Sequence, residues 1–266
     1  MNNPNHFAFI GAIVLISSLL LPLRNSKNRI KNLLIFGIPS LLTILGSGSR
    51  SALIASIFSI IFCIVIRFFK NKKLSISNLL LIILGISIFA LLFENIVPLI
   101  INTKVANRYS AERIFNFQES GRTSLILLAL NVFRSNPIFG VGFGNFLPKS
   151  NNFYDSDVIS GLSDNLRQVS LGTHNEYFRT LTESGLLGFT GLIIFIIFSF
   201  YYLLKNSFSQ KINISQYSQF ILTLVIFNFT YSFSQDQISF IPYFLINSYF
   251  LVFYYLSKNL IKDKVR

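Results

Sequence analysis

The chain is expected to fold as an all-α, polytopic transmembrane helix bundle with one large extracytoplasmic loop that contains an amphipathic helix. Three observations predict this. Only 12% of its 266 residues are charged, against about 25% in an ordinary soluble domain. The mean hydropathy is +0.58, and 30 residues are phenylalanine. The apolar residues also gather in seven blocks, most of them long enough to cross a hydrocarbon core of about 30 Å as helix. In lipid each backbone polar group must be satisfied within its own segment, so such blocks are helices.

The first block runs from Phe7 to Leu23. No basic segment precedes it and no small-residue cleavage site follows before Pro22 and Arg24, so it reads as a span rather than a cleaved leader. The second, Leu33 to Gly46, contains Pro39, whose freed carbonyl neighbouring helices can satisfy. The third, Ala52 to Phe69, holds the lone cysteine, Cys63, which leaves no disulfide framework or thiolate metal cluster. The fourth is Leu79 to Ile101. The last three are Leu186 to Leu204, Phe220 to Phe233 and Ile238 to Leu256. The second and sixth are short, which tilt or local bilayer thinning accommodates. The chain therefore divides into spans over 1–101, a loop over 102–185, and spans with a basic tail over 186–266.

Basic residues follow every odd-numbered block. Arg24, Lys27, Arg29 and Lys31 follow the first, and Arg67, Lys70, Lys72 and Lys73 close the third. Lys205 and Lys211 follow the fifth, and Lys258, Lys262, Lys264 and Arg266 follow the seventh. The positive-inside rule places these segments in the cytoplasm, so the amino terminus and the 102–185 loop lie outside. The formal net charge of +13 is then a topology signal rather than the footprint of nucleic acid binding. An external start without a charged flank suggests that preceding spans belong to the same protein or to a partner.

The loop carries eight basic and seven acidic residues. Within it, Leu125, Leu128, Ala129, Val132 and Phe133 form a helical stripe, suited to lying on the membrane or against the spans. Asn136-Pro137 stops that helix, and GVGFGNF, Gly140 to Phe146, makes a turn. Its glycines imitate a nucleotide fingerprint, but no strand and no βαβ unit accompany them.

Few residues are left to carry chemistry. Arg50, in GSGSRSALIA, stands at the amino end of the third block, where an arginine fork suits a phosphate and a bound anion relieves its conflict with the helix dipole. The competing reading is an arginine snorkelling to lipid headgroups. Arg122 follows a glycine and opens the loop helix, repeating that arrangement; Arg108 and Arg113 are nearby cations with a weaker claim. His174, in THNEYFRTLTESGLLG, is a candidate general base that Glu176 or Glu183 would orient; otherwise it is a polar cap of the helix that follows. His6 reads as such a cap. Glu94, inside the fourth block, is either functional or interfacial. No metal-ligand cluster, phosphate-binding loop or Ser-His-Asp spacing is present.

Taken in order, NPNHFA, SRSALIA, GR before the loop helix, NPIFGVGFGNF and HNEYFRTLTESGLLG resemble the O-antigen ligase and polymerase family of bacterial envelope glycosyltransferases. The resemblance runs from about Asn3 through the sixth block. Family members have roughly a dozen spans, and lacking roughly five from a cytoplasmic start would leave the amino terminus outside, in agreement with the loop charges. The resemblance implies transfer of a glycan from an undecaprenyl-diphosphate carrier to a sugar hydroxyl on lipid A core, another glycan or a protein. It implies no cofactor, no metal and no nucleotide sugar. Arg50 and Arg122 match the arginines that hold the diphosphate, and His174 matches the histidine that activates the acceptor. Different readings of the same residues are a transporter or flippase of an anionic or lipid-linked solute, for which His174 is superfluous, and an inactive truncated relative.

Overall fold

The computed structural model describes residues 4–22, 30–71, 122–153, 173–235 and 250–254. All regular structure among them is helical. Helix α1 spans Pro4–Leu20; a π turn at Leu33–Gly37 runs into α2, Ile38–Ser47; and α3 spans Arg50–Asn71. Then come α4, Arg122–Ser135, the short α5, Phe146–Ser150, and a 3₁₀ turn at Asn151–Phe153. The long α6 covers Glu176–Ser207 and α7 covers Ile212–Ser232. The expected fourth block, with its Glu94, lies outside the described residues, as does most of the seventh.

Among the described residues, three helical stretches are long and apolar enough to cross a membrane: Ile30–Ser47, Arg50–Lys70 and Glu176–Ser207. Much of their apolar surface faces outward, as in Leu34, Phe36 and Leu42, Ile54 and Phe58, or Ile194 and Ile197. A helix that presents leucine, isoleucine and phenylalanine outward is solvated by lipid, not water. This is a membrane protein.

The chain divides into two units, one made of Met1–Phe115, Tyr202–Phe227 and Ser248–Arg266, the other of Asn116–Tyr201 and Asn228–Asn247. In the first, α1 and α2 approach closely because Gly11 has no side chain. A Cβ there would lie 3.1 Å from the Ser40 carbonyl and 3.3 Å from Ile44. Small residues at such crossings let backbones of membrane helices touch. Phe9 then packs on Phe227 at 5.3 Å between ring centroids.

A π turn leads into Pro39. The π turn lets the Ile38 N–H reach back to Leu33 O, and the Ser40 hydroxyl donates to the Phe36 carbonyl.

The basic end of α3 is tied to the turn between α6 and α7. Arg67 Nε donates to Gln219 Oε1 at 3.1 Å, and Lys70 Nζ to Ser209 O at 3.0 Å and to the Ser215 hydroxyl. Ser218 and Gln219 in turn donate to the carbonyls of Leu203 and Ser207, at 2.6 and 3.2 Å. These polar groups explain why α7 starts at Ile212, a turn or two before the apolar block at Phe220. Ser215, Ser218 and Gln219 are satisfied on a buried face of this helix, while Ile212, Asn213, Gln216 and Tyr217 on its other side are exposed.

Candidate active site

The site residues of the sequence fall on three helix starts. Gly48, at φ 68, ends α2 in the left-handed conformation, with its N–H on Leu45 O at 3.1 Å, and the Ser49 N–H donates to Ser47 Oγ. Two residues after that turn Arg50 opens α3, in the first unit. Arg122 opens α4, and His174, Glu176 and Glu183 belong to α6 and its approach, all in the second unit.

The α4 stripe faces protein rather than a membrane surface. Leu125, Leu128, Ala129 and Val132 are buried, and the last three form a core with Phe146, against which Val141, Leu147, Phe153 and Phe178 pack. Each such leucine, valine or phenylalanine contributes roughly 1.5–3 kcal/mol by leaving solvent. Phe178 is on α6, so this core joins the loop helix to the segment that follows His174.

His174 is held in an unusual conformation. Its φ is 49°, the one non-glycine residue with positive φ among the described residues, a state costing on the order of 1–3 kcal/mol that persists only where neighbours enforce it. They do. Thr173 is buried and its hydroxyl both donates to Asn175 O at 2.8 Å and accepts from the Asn175 N–H at 3.3 Å. Asn175 Oδ1 takes the N–H groups of Tyr177 and Phe178 at 3.0 and 3.2 Å, which makes it the cap of α6. The Asn175 amide also donates to Phe233 O at 3.0 Å. Tyr177 completes the clamp: its hydroxyl donates to Phe229 O at 2.9 Å and its ring lies 4.4 Å from that of Phe233. The side-chain cap of α6 is thus Asn175, and the His174 imidazole beside it is half-buried. Asn175 was legible as a cap, since asparagine before a glutamate-led helix is the usual signal.

Glu176, Thr180 and Glu183 line a buried face of α6. Glu176 Oε1 lies 3.4 Å from the Thr180 hydroxyl. Glu183 Oε1 takes Arg179 Nε at 3.3 Å and the Phe146 N–H at 3.4 Å, while Oε2 is buried without a partner. The carboxylate therefore fastens the end of the glycine-rich turn, and its hydrogen bonds go to Arg179 and Phe146 rather than to His174. Arg179 escaped notice in the sequence, although its i, i+4 spacing to Glu183 is the signal for such a pair.

That turn is also bound through the backbone. The N–H groups of Val141 and Gly142 donate to Thr182 O and Glu183 O, both at 2.9 Å. In the other direction Leu186 and Leu187 donate to Pro137 O and Ile138 O, at 2.9 and 3.3 Å. The exchange is possible because α6 breaks at Gly185, whose φ of 64° and ψ of −165° are open only to glycine.

Glu183→Ala is expected to destabilise the protein by about 2–3 kcal/mol, because it leaves the buried Phe146 N–H unpaired. Glu183→Gln keeps the Oε1 acceptor and should stay within about 1 kcal/mol of the parent. Thermal unfolding in detergent reads both. Equal loss in the two variants would mean that charge, not the acceptor, holds the turn.

Comparison with protein families finds that the model described as O-antigen ligase matches residues 33–193, more than half of the chain. The match includes Arg50, Arg122, His174 and the glycine-rich turn. Comparison with curated proteins gives no match.

Proposed function

The chain belongs to the O-antigen ligase family, and on that premise we propose that it moves a glycan from an undecaprenyl-diphosphate carrier to an acceptor sugar hydroxyl at the outer face of the bacterial inner membrane. The observation that carries the reading is the enforced left-handed His174 at the head of α6, with the cap supplied by Asn175. Strain of this kind, held by a dedicated set of hydrogen bonds, is characteristic of a working side chain.

In the proposed reaction His174 takes the proton of the acceptor hydroxyl as its oxygen bonds to the anomeric carbon. The bond from that carbon to the diphosphate oxygen breaks on the opposite face, so configuration inverts. The electron pair leaves on the lipid diphosphate, whose growing charge Arg50 and Arg122 neutralise. The leaving group is already activated, so a base and positive charge suffice. Lipid A core, a second carrier-linked glycan or a protein hydroxyl would each serve as acceptor.

The test is transfer in cells that depend on this protein. Arg50→Ala and Arg122→Ala should each abolish polysaccharide transfer without changing the amount of protein inserted in the membrane. Arg50→Lys should restore only part of it, since a lysine lacks the bidentate fork. Polysaccharide banding at parental intensity in either alanine variant would rule out the diphosphate role.

A further inference from the structure

We infer that the turn from Pro137 to Asn145 is a wedge that enters the lipid bilayer beside α6, an interaction with membrane lipid that does not depend on the transfer chemistry. The turn has two faces. Val141, Phe146 and Leu147 point into the core shared with α4 and Phe178. Ile138, Phe139 and Phe143 point out, with relative exposures of 56%, 75% and 71%. Phenylalanine at three-quarters exposure has no place in water when a core lies alongside it.

Continuity with a membrane span identifies the occupant. The backbone bonds from Leu186 and Leu187 to Pro137 and Ile138 set the wedge level with the start of the apolar part of α6. Leu186 and Leu187 are themselves 49% and 60% exposed, and α6 continues with outward Ile194 and Ile197. The outward side chains of the turn therefore extend the lipid-facing band of that helix.

Charge agrees, and the backbone sets the depth. No charged residue occurs between Arg134 and Lys149, and both of these are exposed, placed to reach lipid phosphates from either end. The N–H groups of Gly140, Val141, Gly142, Asn145 and Phe146 have acceptors within the protein, whereas those of Ile138, Phe139, Phe143 and Gly144 have none among the described residues. Unpaired N–H groups need water or headgroups, so the wedge sits at the headgroup–acyl boundary, with its side chains and not its main chain reaching the hydrocarbon.

The protein contains no tryptophan, so single substitutions report depth directly. Phe139→Trp and Phe143→Trp, in the full chain reconstituted into phosphatidylcholine–phosphatidylglycerol vesicles, should show blue-shifted emission. Acyl-chain-brominated lipid should quench more than half of it, and aqueous iodide very little. Ile194→Trp, on the lipid face of α6, is the reference. Quenching at Ile194 with iodide-sensitive, bromine-insensitive emission at 139 and 143 would overturn the wedge. Protection from both quenchers would also overturn it, since protein and not lipid would then cover the turn. Failure of bromine to quench at all three positions would remove α6 as a span together with the wedge. Each of the two wedge positions reports on its own if the other variant does not fold.

Discussion

Gly185→Ala is expected to abolish the folded protein rather than merely weaken it. At φ 64° and ψ −165° a Cβ is strained wherever it points. Here it would also sit 2.3 Å from the Ile138 carbonyl oxygen and 2.5 Å from the Gly140 nitrogen, both backbone atoms that cannot swing away. Gly140 is its counterpart: at φ 73°, a Cβ would meet the Glu183 carbonyl at 2.5 Å. Either substitution must separate the turn from α6 and break the four backbone bonds between Pro137–Gly142 and Thr182–Leu187. Strain of about 1–3 kcal/mol and those bonds, at about 1 kcal/mol each, together exceed about 5 kcal/mol, comparable with the whole stability of a domain. Gly191→Ala is the matched control, since nothing lies near its Cβ position; in a helix interior it should be neutral or stabilising by up to about 1 kcal/mol. The amount of monodisperse, protease-resistant protein extracted from membranes distinguishes them. Gly185→Ala protein as abundant and as stable as Gly191→Ala protein would contradict the geometry.

For His174 the expected result separates stability from activity. Removal of a general base lowers rate by about 10²–10⁴-fold, so His174→Ala, His174→Asn and His174→Gly should all be inactive within that range. Their stabilities should diverge. Glycine accepts φ 49° freely and relieves the local strain, asparagine tolerates it, and alanine does not. His174→Gly is accordingly expected to unfold at or above the parental temperature while transferring no glycan. The two measurements are thermal unfolding and polysaccharide transfer on the same preparation. An inactive His174→Gly protein that is also markedly less stable would point to a structural histidine instead.

Hydropathy and helix stop signals located most of what the structure describes. The arginines in GSGSRSALIA and after Gly121 both open helices, and Asn136-Pro137 ends α4 as its chemistry requires. The stripe of Leu128, Ala129 and Val132 was plain as a stripe, but not which surface it covers, because lipid and a protein core favour the same residues. What holds the beginning of α6 was hidden for a different reason. Its first residues, Glu176 to Ser184, are polar, and what holds them is an exchange of main-chain hydrogen bonds with the turn at Pro137–Gly142. Such bonds leave no periodicity in the side chains. Only Gly140 and Gly185 mark them, and a glycine in a sequence does not say what it faces. The same limit applies to α7, where Ser215, Ser218 and Gln219 lower the hydropathy of a face that is nonetheless buried.

The kink in α6 also sets how far polar groups stand from the lipid. Unbroken, Glu176–Ser207 would be a rod of about 48 Å, well beyond the hydrocarbon thickness of about 30 Å, and its first turns would project straight into the periplasm or cytoplasm. Divided at Gly185, the apolar length Leu186–Ser207 measures about 33 Å, close to the thickness of the bilayer core. The polar turns Glu176–Ser184 then form a separate segment outside that length rather than the continuation of its rod.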